Sequence, residues 1–100
     1  MGNVVLIDNR PPELFQASHL PGAVNLTYQM SGSPENVMTK ESLDIFDGHI
    51  LAFYCSGNRR VFFASEAVLS WGWKSDRVYW FREDFPLWAA RGLPVETTTE

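Results

Sequence analysis

Three short apolar runs set the frame of this chain: Val4-Val5-Leu6-Ile7, Ile50-Leu51-Ala52-Phe53-Tyr54 and Val78-Tyr79-Trp80-Phe81. Each is continuous rather than alternating, and rich in β-branched and aromatic residues. Strands read this way when both faces are covered, because alternation survives only where one face meets water. Ala23-Val24-Asn25-Leu26 is a fourth, shorter candidate. Helical patterns fall between the runs. Pro11 to Gln16 opens with proline, which suits a first turn. Thr39 to Phe46 is short and amphipathic. Residues 60–71 carry the clearest helix: Val61, Ala64, Val68 and Trp71 recur at helical spacing with Ser65, Glu66 and Ser70 between them, and Gly72 ends it. Phe85 to Ala90 reads as a last helix, capped by Asp84 and followed by Gly92. Strands alternating with helices predict an α/β fold, a mostly parallel sheet flanked by helices. Residues 30–38, with Ser31-Gly32-Ser33-Pro34, form a surface loop, and the tail from Glu96 is expected to fray.

A chain of 100 residues is expected to form one domain. Such a domain buries only ~60–65% of the surface its unfolded chain exposes, so the core is modest. A net charge of -4 argues against nucleic acid, where a basic face is needed. No run approaches the ~18 apolar residues that span a bilayer, and no leader pattern opens the chain. Leu6 stands where a myristoylation site wants Ser or Thr. The expectation is a cytoplasmic protein with no membrane partner, a monomer or weak dimer. Cys55 is the one cysteine, so no intramolecular disulfide and no Cys-rich metal site can form. His19 and His49 lack ligand-like neighbours at helical spacing, so no metal is expected.

The informative stretch is Phe53-Tyr54-Cys55-Ser56-Gly57-Asn58-Arg59-Arg60, followed at once by the strongest helix. Cys55 falls where a buried strand ends, the edge at which open α/β sheets bind ligands. Gly57 and Asn58 tolerate unusual backbone angles, so the loop N–H groups can converge as an anion nest. The helix N-terminus adds positive potential, and Arg59 and Arg60 add two cations. All three effects favour the thiolate, the nucleophilic form. A lone cysteine is ordinarily an inert buried hydrophobe; this context makes a reactive thiol the favoured reading.

The motifs then resemble one family in order. Val5-Leu6-Ile7-Asp8-Asn9-Arg10-Pro11-Pro12-Glu13 resembles the opening strand and turn of rhodanese domains. Ser18-His19-Leu20-Pro21-Gly22-Ala23-Val24-Asn25-Leu26 resembles the second signature, and Tyr54 to Arg60 the active-site loop. Val78-Tyr79-Trp80-Phe81-Arg82, Trp88 and Gly92-Leu93-Pro94-Val95-Glu96 resemble the C-terminal signature. The resemblance runs from about Val4 to Glu96. It lacks the short strand and helix that usually precede this point, so a trimmed or minimal domain is expected. It implies a rhodanese-like three-layer fold and a thiosulfate sulfurtransferase-like activity. Cys55 would carry sulfur as a persulfide, held by the backbone of Ser56, Gly57, Asn58, Arg59 and Arg60. No cofactor is implied. The partners would be a small sulfur donor and a thiol acceptor, which can be a protein thiol.

Other readings stand beside this one. Related phosphatases place five residues between Cys and Arg, whereas four lie between Cys55 and Arg60. The tighter ring suits one sulfur atom better than a phosphoryl group. Gly57 one place early, Ser18 before the histidine and Glu83-Asp84 in place of a glycine pair depart from the family pattern. They motivate the alternative of a non-catalytic rhodanese-like module that binds a protein. Asp8 and Arg10 are read as an ion pair bracing loops beside the site. His19 anchors a turn more readily than it serves as a base. Pro21-Gly22 fits the centre of a type II turn. Trp71, Trp73 and Trp80 are read as core.

Overall fold

The computed structural model describes residues 4–55 and 59–80. Strand β1 (Val4–Asp8) leads into helix α1 (Pro12–Ala17) and strand β2 (Val24–Asn25). A 3₁₀ helix (Glu41–Phe46) precedes β3 (Ile50–Tyr54), and helix α2 (Arg59–Ser70) returns the chain to β4 (Val78–Trp80). Among the described residues the four strands are all parallel, in the order β2-β1-β3-β4. The expected α/β fold with a parallel sheet is therefore present.

The continuous apolar runs divide between two faces with the period of two that a pleated strand imposes. Ile7, Leu51, Phe53 and Cys55 join Val61, Ala64 and Val68 of α2 in the main core, with Tyr28, Met38 and Leu43 closing it. Tyr54 turns to the other face and packs with Leu20, Leu6 and Ala23. Neither face of β3 is solvated, which is why the run does not alternate.

Helix α2 begins and ends one residue earlier than the periodicity suggests. Its end is set by Gly72, at φ 105°, where Trp73 N–H donates to Val68 O at 3.1 Å and Gly72 N–H to Leu69 O. A left-handed residue there stops the helix with its last carbonyls satisfied. Within Thr39 to Phe46, residues Glu41–Phe46 form a 3₁₀ helix, not an α-helix. At three residues per turn Leu43 and Phe46 fall on one face, both packed into the core, and Ile45 is left 78% exposed. The Trp80 reading is corrected: Trp71 and Trp73 pack on the main core, but Trp80 is 40% exposed on β4, the outer strand among the described residues. The expected helix Phe85 to Ala90, with Asp84, Trp88 and Gly92, lies outside the described residues, as do Phe81 and Arg82.

Phe53 is wholly buried in the middle of β3. Phe53→Ala should cost about 3–5 kcal/mol by loss of burial plus the cavity left behind. Urea unfolding of the two proteins checks this.

Candidate functional site

The sheet order places a topological switch between β1 and β3. From β1 the chain crosses to β2 on one side; from β3 it crosses to β4 on the other. The connections diverge at the carboxyl edge, and the gap between them is where open α/β sheets hold ligands. Asp8, Asn9 and Arg10 leave β1 there, and Cys55 leaves β3. Asp8 is the register partner of Tyr54, and Asn9 N–H donates to Tyr54 O at 3.0 Å.

This edge is held by charge. Asp8 and Arg10 are both buried. Arg10 Nε lies 3.0 Å from Asp8 Oδ2 and 3.1 Å from Oδ1, and Nη2 donates to Oδ2 at 2.8 Å. The backbone N–H of Arg10 also donates to Asp8 Oδ1, at 2.8 Å, and Nη2 reaches Ser18 O at 2.6 Å. Asn25 Nδ2 and Thr27 Oγ1 both donate to Arg10 O at 2.9 Å. The pair thus ties the end of β1 to the turn after α1 and to the segment following β2. Its bracing role is the structural reading taken from the sequence.

Tyr54 completes the brace. Its hydroxyl accepts Leu20 N–H at 3.1 Å and is hydrogen-bonded to Asp8, and Arg10 Cζ lies 5.9 Å from its ring centroid. Burial, then the Asp8 carboxylate, push the Tyr54 phenol well above its ordinary value of 10.0. His19 acts as the expected anchor. Its Nδ1–H donates to Phe15 O at 2.7 Å, and its ring stacks on Phe15 with centroids 3.7 Å apart. The turn after it has Ala23 N–H donating to Leu20 O at 3.1 Å and Gly22 at φ 79°, as a type II turn requires.

Cys55 stands where the sequence places it, directly after β3, and it is 1% exposed within the main core. Ser56, Gly57 and Asn58 lie outside the described residues. Arg59 is exposed at the start of α2. Arg60 is engaged: its Nη1 donates to Glu35 Oε1 at 2.6 Å and lies 3.5 Å from Tyr28 O. Sequence reasoning assigned Arg60 to the loop and left Glu35 in a surface loop; no local pattern links residues 25 positions apart. Asn9 was missed as well. It is fully buried, with Nδ2 on Leu26 O at 3.0 Å and Oδ1 without a hydrogen-bond partner among the described residues.

A cavity of about 400 Å³ lies at the amino edge, lined by Leu43, Gly48, Trp71, Trp73, Lys74 and Arg77. We place the candidate site at Cys55 instead, because the switch point and the only cysteine coincide at the other edge. Among the described residues no group of three His, Cys, Asp or Glu could hold a metal ion, and no helix is long and apolar enough to cross a membrane.

Fold and sequence agree on kinship. The chain belongs to the rhodanese-like domain family, whose description it matches over residues 1–91. Among solved structures it resembles a protein from Bacillus halodurans (TM-score 0.77, 16% identity), covering 96% of this chain and 65% of that one. It also resembles a rhodanese with anions from E. coli (TM-score 0.67, 23% identity), covering 94% and 98% of the two chains. A third likeness is to a probable thiosulfate sulfurtransferase (TM-score 0.68, 24% identity), over 92% of this chain and 42% of that one. No curated protein sequence matches significantly.

Two outcomes follow for the brace. Asp8→Ala leaves the buried Arg10 guanidinium without its carboxylate and should cost about 3–5 kcal/mol in urea unfolding. The raised Tyr54 value also sets a pH dependence. Above the ordinary tyrosine value the unfolded chain loses this proton while the folded chain keeps it. Stability should therefore be intact below pH ~10 and fall as pH rises beyond it. In Tyr54→Phe that slope should flatten, measured by unfolding midpoints against pH.

Proposed function

We propose that this domain is a sulfurtransferase in which Cys55 carries a sulfane sulfur. One observation carries the reading: the cysteine leaves β3 at the carboxyl edge, at the switch point, and leads within four residues into the twelve-residue helix α2. Membership of the rhodanese-like family supports it. In the first half-reaction the Cys55 thiolate attacks the outer sulfur of thiosulfate. The S–S bond to the sulfonate sulfur breaks, sulfite leaves with that electron pair, and Cys55 is left as a persulfide anion. We assign stabilisation of that anion to the start of α2 and to the backbone N–H groups of residues 56–60. In the second half-reaction an external nucleophile takes the outer sulfur and the thiolate is regenerated. The acceptor is external because the chain has no second cysteine. A donor such as thiosulfate or a persulfide, and a cytoplasmic setting, belong to this proposal.

A second reading has its own support. Cys55 is buried in the core, and Arg60 is held by Glu35 rather than directed at a ligand. These features suit a rhodanese-like module that binds a protein without turnover.

Intact-mass analysis separates the two. Purified protein incubated with excess thiosulfate should gain the mass of one sulfur atom, and cyanide should remove it as thiocyanate. Cys55→Ser should fold and never load, since a serine hydroxyl is not ionised near neutral pH. Failure of wild-type protein to load from thiosulfate, mercaptopyruvate or glutathione persulfide would establish the non-catalytic module instead.

A further inference from the structure

The surface loop between β2 and the 3₁₀ helix is built rather than slack. Its base closes where Val37 N–H and Met38 N–H both donate to Thr27 O, at 2.8 and 3.1 Å. Asn36 spans it, accepting Gln29 N–H at 2.8 Å and donating to Met30 O at 2.7 Å. Ser33 Oγ donates to Gln29 Oε1 at 3.0 Å. Both ends of the loop are anchored in the core: Tyr28 and Met38 belong to the same core cluster as Cys55. The loop therefore delivers Glu35 in a fixed place, and that place is on Arg60.

Of the two cations that open α2, Arg60 is the less exposed. It lies five residues after Cys55, in the first turn of α2, and its side chain is 23% exposed. Arg59, one residue earlier, is exposed, and an exposed charge is screened within about 8–10 Å by salt. A half-buried guanidinium keeps more of its field, but here that field is cancelled by a carboxylate 2.6 Å away. A donor carrying two negative charges meets a neutralised pair instead of a cation. A donor with no net charge is indifferent to both.

We propose that Glu35 is a specificity-determining residue: by occupying Arg60 it turns the site away from small dianionic sulfur donors and toward persulfides of little net charge. This rests on the sulfur-transfer reading of Cys55. The step with such a donor balances simply. The Cys55 thiolate attacks the outer sulfur of a protonated persulfide RS–SH, the S–S bond breaks, RS⁻ leaves with its electron pair, and Cys55–S–SH forms.

The test compares thiosulfate with 2-hydroxyethyl persulfide, whose reacting RS–SH form carries no net charge. Glu35→Gln keeps an acceptor for Arg60 and removes only the charge. It should raise kcat/KM for thiosulfate roughly threefold to tenfold and change that for 2-hydroxyethyl persulfide less than twofold. In Glu35→Gln combined with Arg60→Gln the gain should vanish. Equal changes with both donors would mean that Glu35 merely shapes its loop, and a gain that persists in the double variant would mean that it does not act through Arg60; either overturns the proposal. A binding measurement separates this from the parent reading. In Cys55→Ser, which cannot take up sulfur, Glu35→Gln should tighten thiosulfate binding by the same factor. Tighter binding with no sulfur loading of any protein that retains Cys55 would defeat the sulfur-transfer reading and uphold the Glu35–Arg60 effect on anions. An unchanged affinity would defeat the Glu35 assignment alone.

Discussion

A buried carboxylate and a buried guanidinium, two residues apart, organise the functional edge of this domain. Taking both charges out of water is costly, and the cost is offset only when every donor and acceptor finds a partner. Asp8 and Arg10 meet that condition through each other, through the Arg10 backbone, through Tyr54 and through Ser18 O. The consequence is geometric. The end of β1, the end of β3 and the turn after α1 cannot shift independently, because moving any of them would strand a buried charge or hydroxyl. Cys55 follows Tyr54 directly and inherits that rigidity.

The same edge joins two different environments. On the face that holds Tyr54 the packing is small and the polar network dominates. On the α2 face Cys55 lies among Ile7, Phe53, Tyr28 and Met38, with Val61, Ala64 and Val68 above. A sulfur atom in apolar surroundings is protected from stray thiols and oxidants. The core around Cys55 is thus assembled from elements that are distant in sequence.

The sequence also shows where pattern reading fails for physical reasons. Thr39 to Phe46 has an amphipathic composition, but one buried residue does not dictate the helical pitch. Thr39 and Ser42 exchange side-chain and backbone hydrogen bonds across the first turn, Ser42 N–H donating to Thr39 Oγ1 at 3.1 Å, and the tighter 3₁₀ turn aligns Leu43 with Phe46. Trp80 reads as core by size and hydrophobicity, yet its burial depends on what lies beside β4. Tyr54 reads as an apolar filler, and its hydroxyl matters only because Leu20 and Asp8 arrive beside it.

By itself the sequence determined the strands, the strong helix, the parallel α/β class and the position of Cys55 at a strand end. These follow from local rules: continuous apolar runs, a 3.6-residue period, and a glycine where a helix must stop. The family resemblance was legible too, since it resides in short contiguous motifs. Only the tertiary structure decided the strand order that makes the β1–β3 gap a switch point, the Asp8–Arg10–Tyr54 brace, and the pairing of Arg60 with Glu35. The reason is common to all three. Each joins groups from separate segments, and a side chain's electrostatic partner is set by three-dimensional proximity, which no local pattern encodes.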